Sequence, residues 1–166
     1  MNFTQFVNCF VLCCIPKFKH YQWIHRPFQD IDQMQIKNEK LINCSIASSH
    51  NSILGKLQIC TRSSLYFLYK SLNYNFREIE LDVFYLNNEF VVGHGKNNFC
   101  IATNTIPLEE CFKVIKEYGW KNTNLPLFIS LELNTSEFDT LSTIINTYFH
   151  EQMYINKDKQ LKDCTI

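Results

Sequence analysis

The stretch REIELDVF (residues 77–84) alternates polar and apolar side chains near the middle of the chain. Successive side chains of a strand point to opposite faces, so Glu80 and Asp82 share one face while Ile79, Leu81 and Val83 take the other. Two carboxylates on one face of a strand that is otherwise suited to burial repel each other and lose hydration. The stretch therefore predicts a strand whose polar face is compensated by a positive group.

Outward from this strand, extended and helical patterns alternate along the chain. Further strands are predicted at residues 43–47, 89–92 and 127–133, and helices at 63–72, from 107 onward and from 136 to about 153. Ser63 or Ser64 is suited to cap the first helix, Pro107 to the first turn of the second, and Ser136 to the start of the third. This alternation is typical of parallel βα units, and it predicts an α/β chain.

Polar residues recur at or just beyond the ends of these strands. ASSHNSIL (residues 47–54) follows the first strand, EFVVGHG (89–95) brings a histidine between two glycines that leave room for a ligand, and LFISLEL (127–133) carries a carboxylate near its end. Each residue alone fits a polar turn, a salt bridge or a hydrogen-bonded core histidine. In a βα barrel, however, the carboxyl ends of the strands converge on the active-site face. The residues concerned are His50, Asn51, Glu80, Asp82, His94 and Glu132.

These six residue types predict a particular chemistry. Three carboxylates and an amide oxygen form an all-oxygen ligand set, which suits a hard cation such as Ca²⁺ with positions left for water and substrate. Two histidines beside such an ion can transfer protons and stabilise a charged phosphorane.

Composition excludes several other classes of protein. The 166 residues contain 16 Lys plus Arg and 16 Asp plus Glu, so no overall charge favours nucleic acid as a partner. The eight cysteines form no CxxC pair, which argues against a zinc ribbon and indicates reduced thiols in an intracellular protein. The longest apolar stretch, residues 3–15, is interrupted by polar residues and is too short to span a bilayer.

The chain divides into three parts. Residues 1–29 combine an apolar run with Lys17, Lys19 and Arg26 and contain no acidic residue, which is compatible either with a segment that touches or is acylated at a membrane or with the end of an upstream domain. Residues 30–42 have the polar composition of a linker, and residues 43–166 form the predicted domain.

The motifs SSHNSIL, REIELDVF, VVGHG and LFISLELN, in this order and spacing, resemble the X half of the catalytic barrel of eukaryotic phosphoinositide-specific phospholipase C. The resemblance implies the first half of a (β/α)₈ TIM-type barrel of parallel strands. It also implies that His50 stabilises the pentavalent phosphorus, that His94 is the general acid for the leaving diacylglycerol, and that the calcium ligands are Asn51, Glu80, Asp82 and Glu132.

The activity implied by the resemblance is calcium-dependent cleavage of phosphatidylinositol lipids to diacylglycerol and inositol phosphate in signal transduction. The enzyme would be cytoplasmic and peripheral to the membrane. No counterpart of the family's Y half follows within these 166 residues, so we expect a half-barrel with little activity alone, completed by a separate Y half or a second copy. Lys162 is the nearest counterpart of the lysines that bind ring phosphates in the family but is not assigned that role, so the resemblance does not predict the phosphorylation state of the lipid.

Two alternatives are compatible with the same residues. One is a non-catalytic lipid-binding or regulatory half-domain that retains the site by descent. The other is a glycerophosphodiester phosphodiesterase, a barrel enzyme that would be expected to have a histidine-arginine pair where this chain has His50 and Asn51.

Overall fold

The computed structural model describes residues 39–55, 61–97 and 100–154. The predicted segment 1–29, most of the linker at 30–42, and Lys162 lie outside these ranges. Within the described ranges, seven strands and three α-helices follow a short 3₁₀ turn at Leu41–Asn43. The strands are β1 (Ser48–Ser49), β2 (Glu78–Leu86), β3 (Glu89–Gly93), β4 (Gly95–Asn97), β5 (Cys100–Ile101), β6 (Ile106–Pro107) and β7 (Phe128–Asn134), and the helices are α1 (Leu65–Asn73), α2 (Leu108–Tyr118) and α3 (Phe138–Phe149).

Strand β2 lies at the centre of a five-stranded sheet. It pairs in parallel with β1 and with β7, but β3 runs antiparallel to β2 and β6 runs antiparallel to β3. The prediction of a sheet made only of parallel strands is therefore wrong, and the sheet is mixed. The cause is the two-residue turn at Asn87 and Asn88, whose φ angles of 51° and 63° are those of a tight hairpin turn. The chain reverses there instead of crossing over through a helix.

The two faces of β2 have different surroundings. Ile79, Leu81 and Val83 are fully buried and pack with residues of the three helices. The other members of this cluster include Leu68 and Leu72 of α1, Leu108, Cys111, Phe112 and Ile115 of α2, and Leu141 and Phe149 of α3. Phe84 is equally buried but lies outside the cluster, as the alternation along β2 requires for a residue on the face of Glu80 and Asp82.

The structure confirms one of two helix starts that were predicted from capping residues. The predicted cap of α1 is confirmed, because the Ser64 hydroxyl accepts a hydrogen bond from the Tyr66 N–H at 3.2 Å. The predicted start of α3 at Ser136 is wrong. That helix begins at Phe138, and the Thr135 hydroxyl accepts from the Glu137 N–H at 3.0 Å just before it.

The first predicted strand, residues 43–47, is also displaced. Backbone hydrogen bonds from Asn43 to Lys40 and from Cys44 to Leu41 form a turn there, and the ladder with β2 begins only at Ser48. Local turn bonds thus replace the start of the strand. The carbonyl of Ala47 still accepts from the N–H groups of Arg77 and Glu78, which holds this segment against the beginning of β2.

The side chain of Arg77 joins the start of β2 to the segment before β7. Its buried guanidinium donates to the carbonyls of Gly119, Leu125 and Pro126 at 2.6, 2.5 and 3.1 Å. Burial lowers the pKa of this guanidinium to about 10. Because these partners are carbonyls, the guanidinium satisfies backbone acceptors of the α2–β7 loop next to the start of β2.

Candidate active site

Three carboxylates meet on the face of the sheet that is turned away from the helices. Glu80 and Asp82 alternate along β2, and Glu132 of β7 is in parallel register with Asp82. Oxygen atoms of the three groups lie within 4.8 Å of one another. Asp82 is buried, Glu80 is partly buried and Glu132 is exposed, so the cluster is open to solvent from the side of β7.

The negative charge of this cluster is not balanced by a lysine or arginine of the described residues, although the ring of His94 lies beside Asp82. Burial, followed by the neighbouring carboxylate of Asp82 and the charge of Glu132, raises the pKa of Glu80 to about 8, although the Asn51 N–H opposes the shift. No lysine or arginine of the described chain forms an ion pair with any of the three carboxylates. A cation placed among them would remove this penalty.

Strand β1 ends in a turn that is fastened to Glu80. The Asn51 N–H donates to Oε2 of Glu80 at 2.6 Å, and the Ser52 N–H donates to the Glu80 carbonyl at 3.0 Å. The Ser52 hydroxyl accepts from the Glu80 N–H at 3.1 Å and donates to the Ser49 carbonyl at 2.9 Å. Asn51 takes a φ of 49°, a left-handed conformation that asparagine tolerates better than most residues. These contacts set the place of Asn51 beside the carboxylates.

The side chain of Asn51 also orients His50. Nδ2 of Asn51 lies 3.0 Å from Nδ1 of His50, and an amide NH₂ can only donate, so Nδ1 of the neutral imidazole accepts and Nε2 carries the ring proton. Oδ1 of Asn51 and Oε1 of Glu80 are buried and have no hydrogen-bond partner among the described residues. Together with the carboxylates of Asp82 and Glu132, these two buried oxygens without donors are suited to a divalent cation, and this donor set fits Ca²⁺.

His94 reaches the cluster by the reversal of the chain after β2. Gly93 is paired with Asp82 across the antiparallel ladder, and Nδ1 of the following His94 lies 3.2 Å from Oδ2 of Asp82. The expectation that every site residue follows a parallel strand is therefore wrong for His94. The sequence predicts that Gly93 leaves room for a ligand. In the structure its missing side chain leaves room for Ile101, because a Cβ at this position would lie 3.1 Å from Cγ2 of Ile101.

The structure brings the six predicted residues to one region around β2. Glu80, Asp82 and Glu132 form the carboxylate cluster, and Asn51 adjoins it through its hydrogen bond to Glu80. His50 contacts Asn51, and His94 contacts Asp82. Sequence reasoning missed Ser52 and Thr103, whose hydroxyls accept from the N–H groups of Glu80 and His94. The position of Ser52 inside the ASSHNSIL motif was a possible signal, whereas Thr103 follows no pattern that predicts its partner.

A family model described as "Phosphatidylinositol-specific phospholipase C, X domain" matches residues 37–166. The chain is 33% identical over 122 residues to "1-phosphatidylinositol 4,5-bisphosphate phosphodiesterase 1" of Saccharomyces cerevisiae, with 72% of this chain and 14% of the yeast protein covered. It is 31% identical over 103 residues to "1-phosphatidylinositol 4,5-bisphosphate phosphodiesterase delta-3-A" of Danio rerio, with 61% and 13% covered.

Solved structures show the same fold. PLC21 of S. officinalis superposes with a TM-score of 0.62 at 24% identity and covers 69% of this chain and 15% of its own. PLC21 of L. pealei superposes with a TM-score of 0.61 at 22% identity and the same coverage. Among the described helices, none is long and apolar enough to cross a bilayer.

The chain spans about one seventh of the length of the curated relatives, since it covers 14% and 13% of them. The family match nevertheless extends over most of the 166 residues and includes all six site positions. The chain therefore belongs to the phosphatidylinositol-specific phospholipase C X domain family.

Proposed function

We propose that this chain carries the calcium-binding and proton-transfer residues of a phosphodiesterase that cleaves phosphatidylinositol lipids to diacylglycerol and inositol phosphate. The observation that supports the proposal most directly is the cluster of Glu80, Asp82 and Glu132 beside the unpartnered amide oxygen of Asn51. Membership of the family favours phosphoinositides over the glycerophosphodiester alternative. The enzyme would act in signal transduction from the cytoplasmic surface of a membrane.

Ca²⁺ held by Asn51, Glu80, Asp82 and Glu132 would neutralise the carboxylates and lower the pKa of the inositol 2-hydroxyl. The oxygen of that hydroxyl attacks phosphorus, and a carboxylate such as Glu80 accepts its proton. Glu80 is suited to this step because its Oε1 is buried and accepts no hydrogen bond among the described residues, so this oxygen has lone pairs free to take a proton.

His94 would act on the leaving group. Its Nδ1 donates to Oδ2 of Asp82, so the ring is oriented and Nε2 can give a proton to the glycerol oxygen as the phosphorus–oxygen bond breaks. The products are diacylglycerol and a cyclic inositol phosphate, which water then opens to the monoester. His50, whose Nδ1 accepts from Asn51, would direct the N–H at Nε2 toward the charged oxygens of the pentavalent phosphorus.

We propose further that the open edge of β7 is covered in the active enzyme. No strand of the described chain pairs with β7 on the side away from β2. A closed eight-stranded barrel typically takes about 250 residues. The covering strands could belong to a further part of the same polypeptide, to a separate Y half or to a second copy, although the cluster of like charges disfavours a second copy in the absence of Ca²⁺.

The test measures cleavage of phosphatidylinositol in vesicles by the purified chain, both alone and mixed with a Y half from a relative. The readout is the rate at which 1,2-diacylglycerol forms. Cleavage that requires Ca²⁺ and is lost in His94→Ala supports the proposal. His150→Ala is the matched control, because His150 is exposed at the end of α3, where its Nε2 lies 3.8 Å from Oε1 of the adjacent Glu151. Calcium-dependent vesicle binding without cleavage in either mixture would instead indicate the lipid-binding alternative.

A further inference from the structure

The two segments that carry the histidines meet at a junction formed by Ser63, Thr103 and Asn104. His50 lies at the start of the connection between β1 and α1, and Ser63 lies at its end. His94 directly follows β3, and Thr103 and Asn104 lie in the loop before β6. None of the three junction residues belongs to the acidic cluster.

Three hydrogen bonds hold the junction together. The Ser63 N–H donates to Oδ1 of Asn104 at 2.8 Å, and Nδ2 of Asn104 donates back to the Ser63 carbonyl at 3.1 Å. The amide side chain thereby pairs with both backbone groups of one residue. The Ser63 hydroxyl, which is buried, donates to Oγ1 of Thr103 at 2.9 Å.

The junction extends to His94 through Thr103. Oγ1 of Thr103 also accepts from the His94 N–H at 3.1 Å, and the Ala102 N–H donates to the His94 carbonyl at 2.7 Å. Both backbone groups of His94 are therefore bound by the loop, while Asp82 binds its ring at Nδ1. The backbone and the ring together determine where Nε2 points.

The junction extends to the turn of His50 through the start of α1. The N–H of Ser64, next to Ser63, donates to the carbonyl of Ile53 at 2.9 Å. Ile53 belongs to the turn in which Asn51 binds Glu80 and orients His50. These hydrogen bonds, joined by the peptide chain from Ser63 to Ser64 and from Ile53 back to His50, thus connect the two histidine turns without passing through the carboxylates.

We propose that Thr103 is a positioning residue for the reaction, and that with Ser63 it sets the placement of His94 relative to His50. Its hydroxyl is required because one oxygen accepts from two donors on different segments, which a methyl group of the same size cannot do. The consequence for turnover rests on the proposed function, whereas the placement of His94 does not.

The experiment compares Thr103→Val, Thr103→Ser and Thr105→Val in the full chain. Valine keeps the volume of threonine and removes the acceptor, and serine restores it. Thr105 is the matched control, since it is exposed in the same loop and takes no part in these contacts. The readouts are hydrogen exchange of the His94 amide, the ¹⁵N shift of its Nδ1 at one fixed pH, and kcat and KM for phosphatidylinositol vesicles with the Y half present.

In Thr103→Val we expect the His94 amide to exchange about three- to tenfold faster, which is the effect of losing one hydrogen bond, and the Nδ1 signal to move. We also expect kcat to fall about tenfold with KM and Ca²⁺ affinity unchanged, which is a loss confined to the chemical step. Thr103→Ser should restore all of these, and Thr105→Val should match the wild type.

If the His94 amide of Thr103→Val exchanges at the wild-type rate and its Nδ1 shift is unchanged, the proposal that Thr103 places His94 is overturned. Altered signals with an unchanged kcat would overturn its role in the reaction. If the wild-type chain turns over no lipid in any mixture, the proposed function fails, and the exchange and shift data still decide whether Thr103 positions His94.

Discussion

Nδ1 of His94 lies 3.2 Å from Oδ2 of Asp82, a carboxylate that is also in register with Glu132 on the neighbouring strand. Asp82 is therefore common to the acidic cluster and to the histidine that follows β3. A change at Asp82 should affect both the binding of a cation and the orientation of His94, whereas a change at Glu132 should affect the cation alone.

Ca²⁺ should stabilise the folded chain, because an ion that binds only the native state raises the free energy of unfolding. At ten times its dissociation constant the gain is about 1.4 kcal/mol. Glu132→Gln should abolish the rise in melting temperature without unfolding the chain, since it keeps the volume of the side chain. Glu89→Gln, at an exposed position at the start of β3, is the control and should retain the rise. A wild-type melting temperature that does not change when Ca²⁺ is added would count against the cation site.

Without divalent ions, stability should decrease between about pH 4.5 and 8 through Glu80. Its pKa is raised to about 8 in the folded chain from 4.5, mainly by burial, so the folded state holds a proton that the unfolded state has released. Protonation of Glu80 therefore favours folding below pH 4.5, and this contribution is lost as the pH rises through 8. Denaturant titrations at several pH values should show that the free energy of unfolding of Glu80→Gln changes less across this range than that of the wild type. Equal pH dependence of the two proteins would contradict the raised pKa of Glu80.

Replacement of His94 should depend on the leaving group. A lipid with an alcohol leaving group needs a general acid, so His94→Ala should slow its cleavage by about 10² to 10⁴, and an analogue with an acidic phenol should be affected far less. His50→Ala should slow both, because charge develops on the phosphoryl oxygens whichever group leaves. Kinetics of the two substrates with each variant measure this, and equal losses for His94→Ala would refute the division of roles.

Arg77→Met should destabilise the chain by at least about 2 kcal/mol, because it leaves three carbonyls of the α2–β7 loop without their donor. Urea denaturation in Ca²⁺-free buffer measures the loss. Arg62→Met is the control at an exposed position. The rise in melting temperature on adding Ca²⁺ should persist in Arg77→Met, since the guanidinium binds carbonyls of this loop and forms no ion pair with the three carboxylates in the described chain. An unchanged midpoint would show that water replaces the guanidinium.

The sequence predicts the carboxylates better than the path of the chain around them. The alternation in REIELDVF and LFISLEL correctly indicates that Glu80 and Asp82 share a face and that Glu132 lies on a strand, because side-chain alternation is a local property. The cap at Ser64 was equally local.

The errors arose where distant or competing contacts decide. The reversal at Asn87 and Asn88 makes β3 antiparallel, and a short strand pattern carries no information on direction. Helix α3 begins at Phe138 without a side-chain cap, although Thr135 and Ser136 are both residue types that cap helices. The junction of Ser63 with Thr103 joins residues 40 positions apart, and no spacing rule could predict it.

The left-handed backbone of Asn51 has a consequence for how this position can evolve. Its φ of 49° admits glycine, asparagine and aspartate most easily, and of these glycine has no oxygen to offer at Oδ1. A population of variants selected only for folding should accept glycine at position 51, whereas a population selected for turnover should retain asparagine and tolerate little beyond aspartate. Sequencing both populations would therefore separate, at a single codon, what the fold requires from what the chemistry requires.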